Sequence, residues 1–283
     1  MNTKFKLLVT IFCTVLHGVL PATESGAADA DTDYLASLID QARRNGDYFP
    51  DLYRMNPTLS EAELFAVQDQ YVKLQLADKD RVIGYKAGFV PRASIGGVLL
   101  ASGQLGAGSI IRKQNFKLLV VEAEIAFRFC RVVEQPLADL RALKDAVCEL
   151  APALEIADGA LENFAQIKRD FRHLRAALIP LNVAYAHIML GQAVPTKGVD
   201  LANLMVSMKH QQSVIGERAL DPEVDLWSNV LWTVNHFVLK RGYRIEAGQV
   251  IIPGNLTGIH VADSGRYVAD FGALGTLAVE VLP

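Results

Sequence analysis

This sequence contains few cysteines, few long hydrophobic runs and no large excess of either charge. Three cysteines among 283 residues cannot form a disulfide framework. Cys13 lies in a predicted N-terminal leader, so in the mature chain Cys130 and Cys148 would form at most one bridge. The 28 basic and 31 acidic side chains give a formal net charge of −3. Because this balance creates no general positive field, we exclude nucleic acid as a partner.

The composition that is present is that of a globular protein. Hydrophobic residues make up 51% of the chain and charged residues 21%, whereas a disordered chain has fewer apolar residues and more net charge. The length suits one large domain or two ordinary ones. Residues 31–283 contain no internal repeat, low-complexity tract or linker. We therefore predict a single domain over 28–283, with a helical N-terminal arm over 28–80.

Residues 1–27 have the layout of a secretory signal peptide. Lys4 and Lys6 precede an apolar run from Leu7 to Leu20, and small residues follow as far as Ala27. The run of about 14 residues is shorter than the roughly 20 that a membrane-spanning helix needs. The alternative is a buried N-terminal helix. We predict cleavage near Ala27 and an exported protein, periplasmic or secreted, without a membrane anchor afterwards.

Hydrophobic spacing and turn residues predict an α+β fold in which helices surround a mixed, largely antiparallel sheet or roll. Ser60 and Glu63 form a capping-box pattern, and Asp221-Pro222 is a typical helix start. The predicted helices cover 31–77, 137–150, 161–175 and 221–240; the predicted strands cover 81–89, 117–129 and 153–157, and a hairpin covers 205–218.

Two glutamates in the clearest strand are candidate metal ligands. Since side chains alternate along a strand, Glu122 and Glu124 share one face, where they repel unless a cation or water lies between them. Glu155 lies in an apolar strand, where a lone charge is costly. Three carboxylates without a neighbouring His or Cys favour Mg²⁺ or Mn²⁺ over zinc. The alternative is a solvated strand face beside a partly buried Glu155.

Three short motifs occur in a characteristic order: GYKAG at 84–88, VEAEIA at 121–126 and ALEI at 153–156. Together they resemble the fumarylacetoacetate hydrolase superfamily, specifically its branch of 2-oxopent-4-enoate (2-hydroxypenta-2,4-dienoate) hydratases and 4-oxalocrotonate decarboxylases. The similarity covers roughly residues 35–283 and includes a helix around Gln68. The resemblance implies a fumarylacetoacetase-like β-roll with surrounding helices, and a homo-oligomer.

The same resemblance implies a metal-dependent lyase. Glu122, Glu124 and Glu155 would hold Mg²⁺ or Mn²⁺, and the ion would chelate the carboxylate and 2-oxo oxygens of a short 2-hydroxydienoic acid. Lys86 would be the catalytic residue that lies against the substrate's carboxylate or enol oxygen. Without the family motif, Lys86 would be a strand-end lysine reaching into water. We also expect Lys86 to be exposed, so that its replacement changes stability little.

Two further residues are assigned to the substrate by the resemblance. Asn182 falls where the branch has an Asp-Asn-Ala-Ser-type segment, and Thr257 falls in its C-terminal Thr-Gly segment. The predicted substrate-binding residues are therefore Lys86, Asn182 and Thr257.

Three functions are compatible with the sequence. The first is a hydratase of a short dienoic acid such as 2-hydroxypenta-2,4-dienoate. The second is an acylpyruvate hydrolase, or a decarboxylase of the oxaloacetate or 4-oxalocrotonate type; a hydrolase normally needs a His–Glu pair, and none is evident near Lys86. The third is an exported protein that binds 2-oxo acids without turnover. A small 2-oxo acid is the partner in each case.

Overall fold

The structure is a computed structural model that describes residues 25–77, 79–88 and 94–283, with side chains from residue 31 onwards. The predicted signal peptide covers 1–27, and its basic and apolar segments lie outside the described residues. Cleavage near Ala27 and export therefore stay predictions, as does the division into a leader and a single domain.

Helices concentrate in the N-terminal part of the described chain. The capping box is formed as predicted: Ser60 Oγ accepts a bond from the Glu63 amide at 3.3 Å, and the Glu63 carboxylate accepts one from the Ser60 amide at 2.7 Å. The α-helices are α1 (Ser25–Asn45), α2 (Leu52–Met55), α3 (Glu61–Leu76), α4 (Leu140–Lys144), α5 (Phe164–Ile167), α6 (Phe171–Leu178) and α7 (Ser228–Trp232).

The strands of the described residues form two sheets, and most neighbouring strands are antiparallel. They are β1 (Val82–Gly88), β2 (Ile95–Leu100), β3 (Gln104–Leu105), β4 (Ile110–Arg112), β5 (Leu119–Phe129), β6 (Val147–Asp158), β7 (Tyr185–Leu190), β8 (Val194–Pro195), β9 (Met205–His210), β10 (Ser213–Ala219), β11 (Val250–Ile252), β12 (His260–Val261), β13 (Gly265–Asp270) and β14 (Thr276–Leu282).

The larger sheet has the order β2-β1-β11-β5-β6-β7-β3, with β12 also paired to β5 and β8 to β6. The smaller sheet has the order β10-β9-β13-β14-β4. The parallel pairs are β1 with β11, β3 with β7, and β4 with β14. The predicted α+β fold, with helices around a largely antiparallel β-roll, is the architecture observed.

The local predictions mostly hold. The hairpin turns at Gln211 and Gln212, and the helical run after Asp221 ends at Gly242, where φ is +80°. Part of that run has π-helical geometry on either side of α7. The helix predicted over 137–150 is wrong in its second half, because β6 begins at Val147 and pairs there with Phe129 of β5. Strand pairing overrides the helical spacing.

The two faces of β5 have different surroundings: one packs into the hydrophobic core, and the other carries the predicted metal ligands. Val121, Ala123, Ile125 and Phe127 are fully buried in the main hydrophobic cluster, on the opposite face from the predicted metal ligands. A second cluster packs α1, α3 and α6 against the other side of the sheet. None of the described helices combines the length and apolar character needed to cross a membrane.

Cys130 and Cys148 form the single bridge that the sequence permits. They lie at the end of β5 and near the start of β6, with Cα atoms 5.8 Å apart. That separation is within the normal range for disulfides.

Candidate active site

The register of β5 and β6 brings the three predicted metal ligands together. Glu122 lies directly opposite Glu155 across the strand pair, and Glu124 lies two residues further along the same face of β5. Each of the three carboxylates offers an oxygen within 4.8 Å of the others. We call Glu122, Glu124 and Glu155 the carboxylate cluster.

The cluster is costly to maintain in ionised form. Glu124 and Glu155 are at most 1% exposed, whereas Glu122 is partly exposed. Burial, with added repulsion from the other two glutamates, raises the pKa of Glu124 well above its ordinary value. Burial also raises the pKa of Glu155, although the ammonium of Lys86 opposes the effect. The cluster therefore needs compensating positive charge.

Lys86 supplies part of that charge. Its ammonium, on β1, contacts Glu155 Oε1 and donates to the carbonyl oxygen of Val183 at 3.1 Å. Burial alone would lower the pKa of Lys86, but the three glutamates raise it above its usual value, so the group is an ammonium at neutral pH. The expectation of an exposed lysine is wrong: Lys86 is 3% exposed, because its partner carboxylate is itself buried.

Asn182 holds the turn that faces Lys86. Asn182, Val183 and Ala184 have positive φ values of 53°, 54° and 58°, a conformation that costs energy, especially for a β-branched residue. The side-chain amide of Asn182 makes two hydrogen bonds with the backbone of Val98. Its Oδ1 accepts from the Val98 N–H at 2.6 Å, and its Nδ2 donates to the Val98 carbonyl oxygen at 2.8 Å. A Cβ on Gly97 would meet the Asn182 carbonyl oxygen at 2.8 Å, so glycine leaves the space that this turn occupies.

The other predicted substrate-binding residue, Thr257, is 8% exposed. Its Oγ1 has no hydrogen-bond partner, whereas its amide is bound by the side chain of Asn255 at 2.8 Å. Neither Thr257 nor Asn182 is among the residues that line the cavity beside the cluster. Their roles in substrate binding stay predictions; of the three residues, Lys86 is the one that lines the cavity.

A cavity of about 410 Å³ opens beside the cluster, and Glu122 and Lys86 line it. Arg218 and Asp225 also line it and form an ion pair of 2.5 Å with each other. The hydrocarbon side of the cavity, which we call the apolar wall, consists of Leu118, Val120, Phe164, Leu174, Leu178 and Ile259. Its volume is that of an ordinary small-molecule site.

The residues of the cluster fit a divalent cation. All the donor atoms are carboxylate oxygens, the ligands that Mg²⁺ and Mn²⁺ prefer. Glu155 Oε2 is buried without a hydrogen-bond partner. Glu124 Oε2, in contrast, is oriented by the backbone N–H of Gly254 at 2.8 Å. An unpartnered buried carboxylate oxygen beside two other carboxylates is where a cation would be most stabilising.

No family model matches the chain, but individual proteins do. It is 24% identical over 257 residues to the 2-oxo-hept-4-ene-1,7-dioate hydratase of Escherichia coli, covering 86% of this chain and 95% of that protein. It is also 24% identical over 269 residues to 2-keto-4-pentenoate hydratase 1 of Dechloromonas aromatica (strain RCB), covering 90% and 98%.

A solved structure shares the fold of this chain. The 4-oxalocrotonate decarboxylase from Pseudomonas putida G7, complexed with magnesium and adipate, superimposes with a TM-score of 0.79 at 22% identity, covering 89% of this chain and 98% of that one. The chain thus has the α+β fold of the fumarylacetoacetate hydrolase superfamily. The chain is similar in sequence to the two hydratases, which indicates an enzyme of the hydratase kind, and in fold to the decarboxylase; the predicted resemblance is confirmed.

Sequence reasoning missed several parts of the site, among them two backbone groups and the apolar wall. The Val183 carbonyl and the Gly254 amide are backbone groups, which residue types do not reveal. The apolar wall had one signal: Leu174 and Leu178 are spaced i, i+4, so they share a helix face. We predicted one helix over 161–175, but two short helices occupy this segment and its neighbour, and α6 places these two leucines at the cavity.

Proposed function

We propose that this protein is a divalent-metal-dependent hydratase that acts on a short 2-hydroxy-2,4-dienoic acid, such as 2-hydroxypenta-2,4-dienoate, with Mg²⁺ or Mn²⁺. The observation that carries the proposal is the convergence of Glu122, Glu124 and Glu155 with the Lys86 ammonium at one end of a cavity otherwise lined largely by hydrocarbon. The names of the two curated hydratases support the reaction, and the metals in the solved relatives support the cofactor.

Each side chain has a role that follows from its surroundings. Glu122, Glu124 and Glu155 hold the ion, which when bound polarises the 2-oxo group of the acid as a Lewis acid. An ammonium has three N–H donors, and Lys86 uses two of them on Glu155 and the Val183 carbonyl. The third is free to donate to a substrate carboxylate or enolate oxygen. The apolar wall excludes water from the hydrocarbon part of the substrate, which strengthens these charge interactions.

The hydrolase alternative normally needs a His–Glu pair, and the described residues that line the cavity do not provide one. The described residues that line the cavity include no histidine. A His–acid pair does exist, between His173 Nε2 and Asp51 Oδ2 at 2.8 Å, but neither residue lines the cavity. Asp51 also accepts the Arg54 amide at 3.0 Å and so caps α2. This pair stabilises the junction of α2 and α6, and the hydratase remains the better proposal.

The test is turnover with a defined metal requirement. Loss of the ultraviolet absorbance of 2-hydroxypenta-2,4-dienoate is followed after removal of metal with EDTA and again after addition of MgCl₂ or MnCl₂. We expect turnover only with metal, and a 4-hydroxy-2-oxo acid as product. Carbon dioxide release from 4-oxalocrotonate would support the decarboxylase instead. Tight binding of a 2-oxo acid without any turnover would support the binding protein.

Export and self-association belong to the same proposal. The basic, apolar and small-residue order of residues 1–27 supports a signal peptide, and the pairing of Cys130 with Cys148 suits an oxidising compartment. Mass spectrometry of the natively expressed protein, with and without reduction, should show a mature N-terminus near residue 28 and no free thiol. An intact Met1 or two free thiols would contradict export. The resemblance supports a homo-oligomer, which light scattering would measure.

A further inference from the structure

The wall of the cavity carries information about the substrate's far end. On β5, Val120 shares a face with Glu122, and Leu118, just before the strand, continues the same alternation. At about 3.3 Å per residue, Val120 lies roughly 7 Å and Leu118 roughly 13 Å along the strand from Glu122. A substrate held at Glu122 by its 2-oxo acid end would therefore extend along hydrocarbon.

The neighbouring strand leaves room for such an extension. Ala157 is opposite Val120 in the β5–β6 register, and Gly159 donates its amide to the Leu118 carbonyl at 2.9 Å. Both are small and line the cavity. A Cβ on Gly159 would meet Leu118 Cδ2 at 2.9 Å, so a larger residue there would crowd the channel. Leu174 and Leu178 of α6 cover it from another side.

The charges of the cavity are balanced within the protein. The charged side chains that line it, within residues 25–77, 79–88 and 94–283, are Lys86, Glu122, Arg218 and Asp225. Lys86 is engaged by the carboxylate cluster, and Arg218 is paired with Asp225, whose second oxygen accepts the Asp221 amide at 2.9 Å. Among the described residues, a second carboxylate on the substrate would meet no uncompensated cation, and it would lose hydration against the apolar wall.

Building on the proposed function, we infer that the site selects 2-oxo acids with an uncharged hydrocarbon tail of three or more carbons, and discriminates against dicarboxylates. The specificity-determining features are the apolar wall and the Arg218–Asp225 pair. The preference is a property of binding, and it is measurable with saturated 2-oxo acids, which have no double bond to hydrate.

Titration calorimetry of the full-length purified protein in MgCl₂ tests this with 2-oxohexanoate and 2-oxoadipate, which have the same carbon count. We expect 2-oxohexanoate to bind about tenfold more tightly or better, and 2-oxooctanoate to gain up to about fourfold for each further buried CH₂. Asp225→Asn, which frees the charge of Arg218, should strengthen 2-oxoadipate binding by up to about fivefold relative to 2-oxohexanoate binding. The matched control is Asp263→Asn, which breaks the exposed pair with Lys113.

Equal or tighter binding of 2-oxoadipate by the unmodified protein would overturn the inference, as would binding of neither acid. Both outcomes are distinct from failure of the proposed function, which the dienoate turnover assay reports separately. If turnover is intact and 2-oxoadipate is preferred, the hydratase stands and the tail preference falls. If turnover is absent and the hydrocarbon tail is preferred, the specificity stands in a binding protein.

Discussion

The two ends of the cavity differ in how they are built. The carboxylate cluster lies on two long paired strands, where alternation and register place every side chain, and Glu124 and Glu155 are buried there. The apolar wall draws on a strand start, two short helices and a loop, and two of its residues, Phe164 and Ile259, are partly or largely exposed. The chemistry is thus held by rigid strands, whereas specificity is set by segments that tolerate change.

Breaking the carboxylate cluster should have the largest effect. Glu124→Gln removes one charge from the ion's ligands at constant size, so turnover should fall by about 100-fold or more, and the rise in melting temperature on adding MgCl₂ should shrink. Glu149→Gln on the same pair of strands is the control, since Glu149 is partly exposed and pairs with Arg128. Equal loss in both variants, or an unchanged metal response in Glu124→Gln, would show that the cluster does not bind the ion.

This difference also explains which parts of the site could be predicted from the sequence. Glu122 and Glu124 share a face by simple alternation, so their meeting was predictable, and the apolar residues around Glu155 indicated its burial. The depth of Lys86 was not predictable, because β11 and β5 lie between its strand and β6 in the sheet order. Arg218 and Asp225 gave no signal, since seven residues separate them and their pairing depends on the turn between β10 and the following helix.

Replacing Lys86 tests how strongly the carboxylate cluster depends on a balancing positive charge. Lys86→Ala leaves Glu155 buried without its cation, so the free energy of unfolding should fall by about 3–5 kcal/mol in metal-free protein, and turnover should be lost. Lys113→Ala, which breaks an exposed pair with Asp263, should cost under about 1 kcal/mol. Urea denaturation measures both. Equal stability of Lys86→Ala and the parent protein would instead support the expectation that Lys86 is an accessible lysine at a strand end.

Asn182 holds the turn that faces Lys86, and its replacement separates a positioning role from substrate contact. Asn182→Ala leaves the amide and carbonyl of Val98 without partners, so we expect a loss of about 1–3 kcal/mol in unfolding free energy. The turn that places the Val183 carbonyl on Lys86 should loosen, lowering kcat more than it raises KM. A raised KM at full stability would instead indicate direct contact with the substrate, as the family resemblance implies.

The smallest and most graded effect is the dependence of metal-free stability on pH. Because burial and the neighbouring carboxylates raise the pKa of Glu124 above its ordinary value, the folded state retains a proton that the unfolded state has released. The unfolded state then binds fewer protons than the folded state. The contribution of Glu124 to stability therefore decreases as the pH rises above 4.5, the ordinary pKa of a glutamate. The raised pKa of Glu155 acts in the same direction.

Lys86 does not contribute to this slope near neutral pH, since its own pKa is raised further from that range. Metal binding requires ionised carboxylates and releases the retained proton, so the MgCl₂-induced rise in melting temperature should be larger at pH 8 than at pH 6. Glu124→Gln cannot retain that proton, and it should flatten the metal-free slope between these two values relative to the parent. Thermal denaturation of both proteins in EDTA gives the comparison directly. Parallel slopes would mean that Glu124 is ionised throughout this range even without the metal.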